Sequence, residues 1–307
     1  MGILMNLATF TELIEFKILS ASLFPFITGL FFSWYFLGSV NGLYATLFFI
    51  AMILFDATVN VLDNFNDYYH SDKDEYKSKT NIIGREHISP ALVVFILAAF
   101  IIPSAGIGLY LTYKVGLPLL WMGIFCFAIG ILYSSGPRPI SSTPFGEIAS
   151  GFTMGVMIVL ISVYINSYQI FTWNAELLWE ILLAAAPLFI WIANIMLANN
   201  ICDDEEDRLN DRKTIVHYIG VPRAVFLFNA TNVLAILLIF LAIFLGVYPV
   251  ALISIILAIP LIFKQMRLFT AEQVKTKTFV CSVRILVLGS IGLCIGFAVY
   301  WLYVLVR

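Results

Sequence analysis

Asn200-Ile201-Cys202-Asp203-Asp204-Glu205-Glu206-Asp207 closes a long apolar run, and its spacing, N-x-x-D-x-x-x-D, is already present at Asn60-Val61-Leu62-Asp63-Asn64-Phe65-Asn66-Asp67. On a helix turning 100° per residue, offsets of 0, 3 and 7 fall within about 60° of one another. Each copy would therefore present an amide and two carboxylates as one polar edge at the end of an apolar helix. The apolar runs decide the fold class, and the edge is the sharpest functional signal.

Hydrophobic residues make up 61% of the 307-residue chain and charged residues 12%, against about a quarter charged in ordinary soluble proteins. Mean hydropathy is +0.97. The composition defines an all-α, polytopic membrane protein and excludes a soluble globular domain. The net charge of −2 says little about partners. The four cysteines, Cys126, Cys202, Cys281 and Cys294, show no C-x-x-C spacing and read as structural thiols. Glu12 and Glu15 precede the first apolar run, which argues against a cleaved signal, and 4–16 reads as an interfacial amphipathic segment.

Runs reaching the roughly 20 residues that a bilayer core demands lie near 18–37, 42–62, 89–112, 116–134, 147–166, 178–199, 223–245, 247–263 and 281–304. Nine spans are expected around a central cavity, in a single domain over 1–307. Of the 17 lysines and arginines, all but Lys114, Arg284 and Arg307 fall before the first span or in alternate loops. Retention of positive charge on the cytoplasmic side then places the N-terminus inside. Arg284 enters the last span by only a few residues and reads as snorkelling. Both motifs end even-numbered spans, four spans apart, which suggests a repeated four-helix unit. They therefore face the cytoplasm.

Asp and Asn supply hard oxygen donors suited to Mg²⁺. Facing carboxylates beside hydrocarbon need cations to neutralise them. The second copy also reads D-D-x-x-D, through Asp203, Asp204 and Asp207, an arrangement that holds allylic diphosphates through Mg²⁺. Basic residues accompany each copy: Lys79 and Arg85 the first, Arg212 and Lys213 the second, with Arg138 between them in Tyr133-Ser134-Ser135-Gly136-Pro137-Arg138-Pro139. Arginine clamps phosphate bidentately and lysine acts as a point charge. Taken singly, each is equally explained as a topogenic charge. Glu147 reads as a helix-start carboxylate. His70, His87 and His217 read as ordinary loop histidines.

These residues resemble the UbiA superfamily of intramembrane prenyltransferases. Asn199 to Asp203, Asp207-Arg208 and Arg212-Lys213-Thr214 look like its second aspartate-rich motif. Asn60 to Asp67, with Lys79-Thr80-Asn81 and Arg85, looks like the first. Tyr133 to Pro139 with Gly146 resembles its segment between spans 4 and 5, and Lys17, Pro25 and Gly29 its first helix. Within the superfamily the pattern is most similar to the branch that prenylates 1,4-dihydroxy-2-naphthoate in menaquinone biosynthesis. The first motif departs from the family's, which commonly has Asn then Asp where this chain has Asp63 then Asn64. Which of its residues bind metal therefore stays open, with Asp72 or Asp74 able to add a ligand.

The resemblance implies Mg²⁺-dependent transfer of a polyprenyl group from polyprenyl diphosphate to the naphthoate, with decarboxylation to demethylmenaquinone. Asn60, Asp63, Asp67, Asp203 and Asp207 would hold metal. Asn60, Asn64, Lys79, Arg85, Arg138, Asn200 and Arg212 would bind the diphosphate, with Lys213 and Tyr133 assisting departure and shielding the cation. Tyr68, Tyr69 and Tyr164 are further candidates for that shielding. A 4-hydroxybenzoate or lipid acceptor would need the same machinery. From a different class, a secondary transporter could use paired acidic helix ends, although transporter sites tend to lie nearer the bilayer midplane.

Overall fold

The computed structural model of the protein describes residues 6–15, 20–70 and 79–306, the side chain of His70 excepted. Lys17, Asp72 and Asp74 lie outside the described residues.

Regular structure among those residues is helical. The chain begins with α1 (Leu7–Leu13), α2 (Ser20–Leu37), α3 (Gly42–His70) and the short α4 (Ile82–Arg85). There follow α5 (Pro90–Val115), α6 (Leu117–Ser134) and α7 (Gly146–Ser150), which runs through a π-helical stretch, Gly151–Met157, into α8 (Ile158–Ser167). The remainder comprises α9 (Ala175–Cys202), α10 (Asp204–Leu209), α11 (Ile215–Ile219), α12 (Val221–Phe244), a 3₁₀ segment (Val250–Leu257), α13 (Ile259–Ala271) and α14 (Phe279–Val306). Among the described residues eight helices are long and apolar enough to cross a bilayer. The 3₁₀ segment and α13, bent by 45° at their junction, make a ninth where that pair is counted as one broken span.

Eight of the nine expected spans are therefore present as long apolar helices and the one near 247–263 corresponds to the bent pair, with three differences at the ends of the spans. α3 continues through the whole first motif. α9 stops at Cys202, inside the second. α13 extends to Ala271, so Lys264 and Arg267 ride on a helix rather than in a loop.

Local chemistry sets the boundaries. Ser89 caps α5 by accepting from Leu92 N at 3.3 Å, with Pro90 as its first residue. Asn174 caps α9 by accepting from Leu177 N at 2.8 Å. Gly116, at φ +104°, occupies a conformation closed to residues with a Cβ, and so separates α5 from α6 within one residue.

The chain divides into two compact units, which are described separately: Met1–Leu19 with Thr46–Pro139, and Ser20–Ala45 with Ile140–Arg307. This division does not follow a four-span repeat, because α2 groups with the later spans.

In the first unit, Leu13 and Ile14 at the end of α1 pack with Ala57 and Val61 of α3, Ile82 and Ile83 of α4, and Val93 and Ile96 of α5. The N-terminal segment thus buries its apolar end against protein. Ser104 Oγ donates to Ala51 O at 2.8 Å and ties α5 to α3.

In the second unit α9 is central, packing against α12, the π-helical stretch and α14. Trp191, Leu188, Ala184 and Ala185 on it are fully buried. Lipid is as apolar as these side chains, so helix association here depends on close packing. A Cβ on Gly155 would stand 2.5 Å from Phe189 Cα, so the π-helical stretch and α9 approach backbone to backbone.

Candidate functional site

The second motif spans a helix break. Asn200 lies in the last turn of α9, Asp203 caps it, and Asp207 lies in α10. One uninterrupted helical edge is therefore not what the structure has. The chain nonetheless stays coiled, since Asp203 N donates to Asn199 O at 3.0 Å and Asp207 N to Asp203 O at 2.8 Å.

Asn200 is buried, and its Nδ2 donates to Glu147 Oε1 at 2.8 Å. Arg212 Nε stands 3.3 Å from Asp207 Oδ1, at ion-pair distance but not aligned as a hydrogen bond. Arg212 Nη2 donates to Ser141 O at 3.2 Å, and its backbone N to Asp207 O at 2.9 Å. Lys213 N donates to Ser142 O at 3.1 Å, while its side chain is exposed. Segment 140–142 is thereby pinned beneath the arginine. Lys275, from the turn after α13, pairs with Asp203 Oδ2.

Electrostatics follow from burial. Asp207 is 4% exposed. Burial pushes its carboxyl up to about 6; Arg212 and Lys275 oppose the shift, and Asp203 and Glu206 add to it. Asp207 Oδ2 and Glu147 Oε2 are buried with no hydrogen-bond partner. A buried carboxylate oxygen without a partner is costly and invites a cation.

In the first unit the motif lies on continuous α3. Asn60 Nδ2 donates to Ile14 O at 3.0 Å, and Asn64 Nδ2 to Asn60 O at 3.1 Å and Leu13 O at 3.4 Å. Both amides thus fix the end of α1 onto α3. Asn66 Nδ2 donates to Ser134 O and Ser135 Oγ, at 3.0 and 2.8 Å, and anchors the segment carrying Tyr133 and Arg138. Asn81 Nδ2 donates to Asn64 O at 2.9 Å. Arg85 pairs with Glu12 at 2.7 Å and Glu86 at 3.2 Å. Asp63 and Tyr133 are half-buried; Asp67, Lys79 and Arg138 are exposed.

Sequence reading passed over three relevant residues. Glu147 has the sequence position of a helix-start carboxylate, and Lys275 is one of many basic residues in the alternate loops. Asp56 had a legible signal: offsets of 4, 7 and 11 from it to Asn60, Asp63 and Asp67 place all four on one face of α3, with Asp56 deepest in the span. Tyr164, in contrast, packs against Phe171 and Trp173, at ring distances of 5.3 and 5.5 Å. It lies some 25 Å of helix from Glu147, and hence away from the second motif.

Among the described residues no three His, Cys, Asp or Glu side chains are gathered as a ready metal cage. Magnesium does not demand one, since it commonly takes one or two carboxylates and completes its shell with water and substrate phosphates. Hard oxygens, one of them buried and unpartnered on Asp207, fit it.

Apolar helices long enough to cross a bilayer, with amide–carboxylate motifs at the ends of two of them, define a multi-pass membrane protein. The sequence profile of the UbiA prenyltransferase family matches residues 22–288. The chain belongs to the UbiA prenyltransferase family. It is 33% identical over 194 residues to the 1,4-dihydroxy-2-naphthoate octaprenyltransferase of Bacillus subtilis (strain 168); the match covers 62% of this chain and 60% of that protein. Its fold is similar to a UbiA homolog from Aeropyrum pernix K1, with TM-score 0.71, 18% identity, and 92% and 98% of the two chains covered. It is also similar to a UbiA homolog from Archaeoglobus fulgidus solved with GPP and Mg²⁺, with TM-score 0.64, 16% identity, and 95% and 99% covered.

Proposed function

We propose that this chain moves a polyprenyl group from polyprenyl diphosphate to 1,4-dihydroxy-2-naphthoate in a Mg²⁺-dependent, decarboxylating reaction that gives the quinol form of demethylmenaquinone. The observation that carries the reading is the arrangement at Asp203 and Asp207. Each carboxylate has drawn in a basic side chain, and Asp207 keeps a buried oxygen to spare. The naphthoate is supported by the identity to the Bacillus subtilis octaprenyltransferase.

Asp203 and Asp207, with Asp63, Asp67 and Asn60, are the proposed Mg²⁺ ligands. Bound Mg²⁺ supplies positive charge to the leaving diphosphate. Arg212, Lys213, Asn200 and Asn64, together with Lys79, Arg85 and Arg138, grip its oxygens and gather the charge that develops as the bond lengthens. Arg85 exchanges Glu12 for phosphate in doing so. The allylic C–O bond breaks with its electron pair leaving on the diphosphate. The Tyr133 ring face stabilises the cation, a contribution of about 0.5–2 kcal/mol. The ring carbon bearing the carboxylate forms the new C–C bond. Loss of CO₂ returns the electron pair to the ring and restores its aromaticity.

The whole chain is inferred to act as one catalytic domain in the cell membrane. The bias of basic residues toward alternate loops supports placing the N-terminus and both motifs on the cytoplasmic side. A membrane assay with labelled polyprenyl diphosphate tests the reading. It is expected to yield prenylated, decarboxylated naphthoquinol by mass with Mg²⁺, and none with chelator. Transfer to 4-hydroxybenzoate instead would overturn the acceptor, and no transfer to either would overturn the reaction.

A further inference from the structure

The turn joining α13 to α14 is built to present one lysine. Val274 O accepts from Lys277 N at 3.0 Å and from Thr278 N at 2.8 Å. Val274 N donates to Thr278 Oγ1 at 2.9 Å, and Thr278 is buried. The backbone around 275 is therefore closed on itself. Lys277 turns away to Glu272 at 2.8 Å, and Lys275 reaches Asp203 Oδ2.

The two partners differ in environment. The Lys275 side chain is 53% exposed, and that of Asp203 11%. A sheltered carboxylate needs a cation more than an exposed ammonium needs an anion. Lysine is also a compact point charge on a flexible stem, able to change partners while its backbone stays fixed. A metal that takes Asp203 Oδ2 must displace the ammonium. The nearest new anion is then the diphosphate that the same metal holds.

We propose that Lys275 is a tethered counter-ion of the second motif, neutralising Asp203 in the metal-free enzyme, yielding it to the divalent cation, and then contacting the diphosphate. The inference rests on the diphosphate reading given above. It makes Lys275 both a competitor of the metal and a substrate contact, and the two roles have opposite signs.

The test uses the full chain in detergent or nanodiscs, with Mn²⁺ as the spectroscopic probe. Electron paramagnetic resonance without diphosphate should show Lys275→Met binding Mn²⁺ about threefold more tightly than wild type, the scale of an exposed ion pair. In the transfer assay the same variant should raise KM for polyprenyl diphosphate about tenfold, the loss of one charged contact, with kcat little changed. Lys275→Arg keeps the charge and should stay within about twofold of wild type in KM. Equal or weaker Mn²⁺ binding by Lys275→Met, or an unchanged KM, overturns the role of Lys275. A wild-type protein that binds no Mn²⁺ and transfers no prenyl group overturns the diphosphate reading beneath it.

Discussion

Asn200 and Glu147 are joined by a buried hydrogen bond, Nδ2 to Oε1 at 2.8 Å, between the last turn of α9 and the first turn of α7. The bond fixes which way the Asn200 carboxamide faces, so the oxygen of the motif's amide is set by a residue far away in sequence. Glu147→Gln retains an acceptor and should keep KM for polyprenyl diphosphate near wild type. Glu147→Leu leaves a buried amide unpaired, a cost of about 1–3 kcal/mol, and should lower the thermal midpoint and raise KM together. Thermal unfolding and steady-state kinetics on both variants check this. Equal behaviour of the two would remove the positioning argument.

The approach of the π-helical stretch to α9 makes a second prediction. The Gly155 contact is to backbone atoms of Phe189, at 2.5 and 2.6 Å, which cannot rotate away. Gly155→Ala should destabilise the protein by about 1–3 kcal/mol. Gly42→Ala, with nothing within 4 Å of the added carbon, is the matching control and should leave the thermal midpoint almost unchanged.

Burial of Asp207 sets a pH dependence. The groups around it are Glu147 on α7, Asp203 and Glu206, and the cations Arg212 and Lys275. Its carboxyl sits at about 6 in the folded state, against an ordinary 3.8. Between these values the folded protein holds a proton that the unfolded chain has released. The metal-free protein therefore loses stability as pH rises through that window. A divalent cation binds the ionised form and offsets the loss. The rise in thermal midpoint on adding Mg²⁺ should be larger at pH 7.5 than at pH 5. A Mg²⁺ effect equal at both would contradict the assignment of Asp207 as a ligand.

Asp56 extends the face of Asn60, Asp63 and Asp67 one turn deeper into α3. An ionisable group within a span is retained against a cost of several kcal/mol. Asp56→Asn should lower turnover by about tenfold or more while the protein still inserts and purifies. Transfer at the wild-type rate would reduce Asp56 to a packing residue.

Much of this fold was legible because lipid imposes a simple rule: runs of about 20 apolar residues become helices. The exact starts and stops, such as Pro90 opening α5 and Gly116 dividing it from α6, came from the structure. The polar face of α3 was equally legible, since helical spacing alone aligns Asn60, Asp63 and Asp67. The break of α9 at Asp203 was not, because N-x-x-D-x-x-x-D reads the same on a straight helix and a bent one. Nor were the pairs Glu147–Asn200 and Lys275–Asp203. Each joins residues more than 50 positions apart, and spacing along one helix carries no information about such contacts. The grouping of α2 with the later spans, instead of a four-span repeat, is a packing result of the same kind.

The central claim is that Asp203 and Asp207 hold the metal that holds the diphosphate, and Asp207→Asn tests it most directly. The substitution removes the charge yet keeps the shape of a side chain that is 4% exposed. Mg²⁺-dependent prenyl transfer by the purified variant is predicted to fall by on the order of 100-fold or more, with normal insertion and yield. Transfer by Asp207→Asn at the wild-type rate would contradict the account.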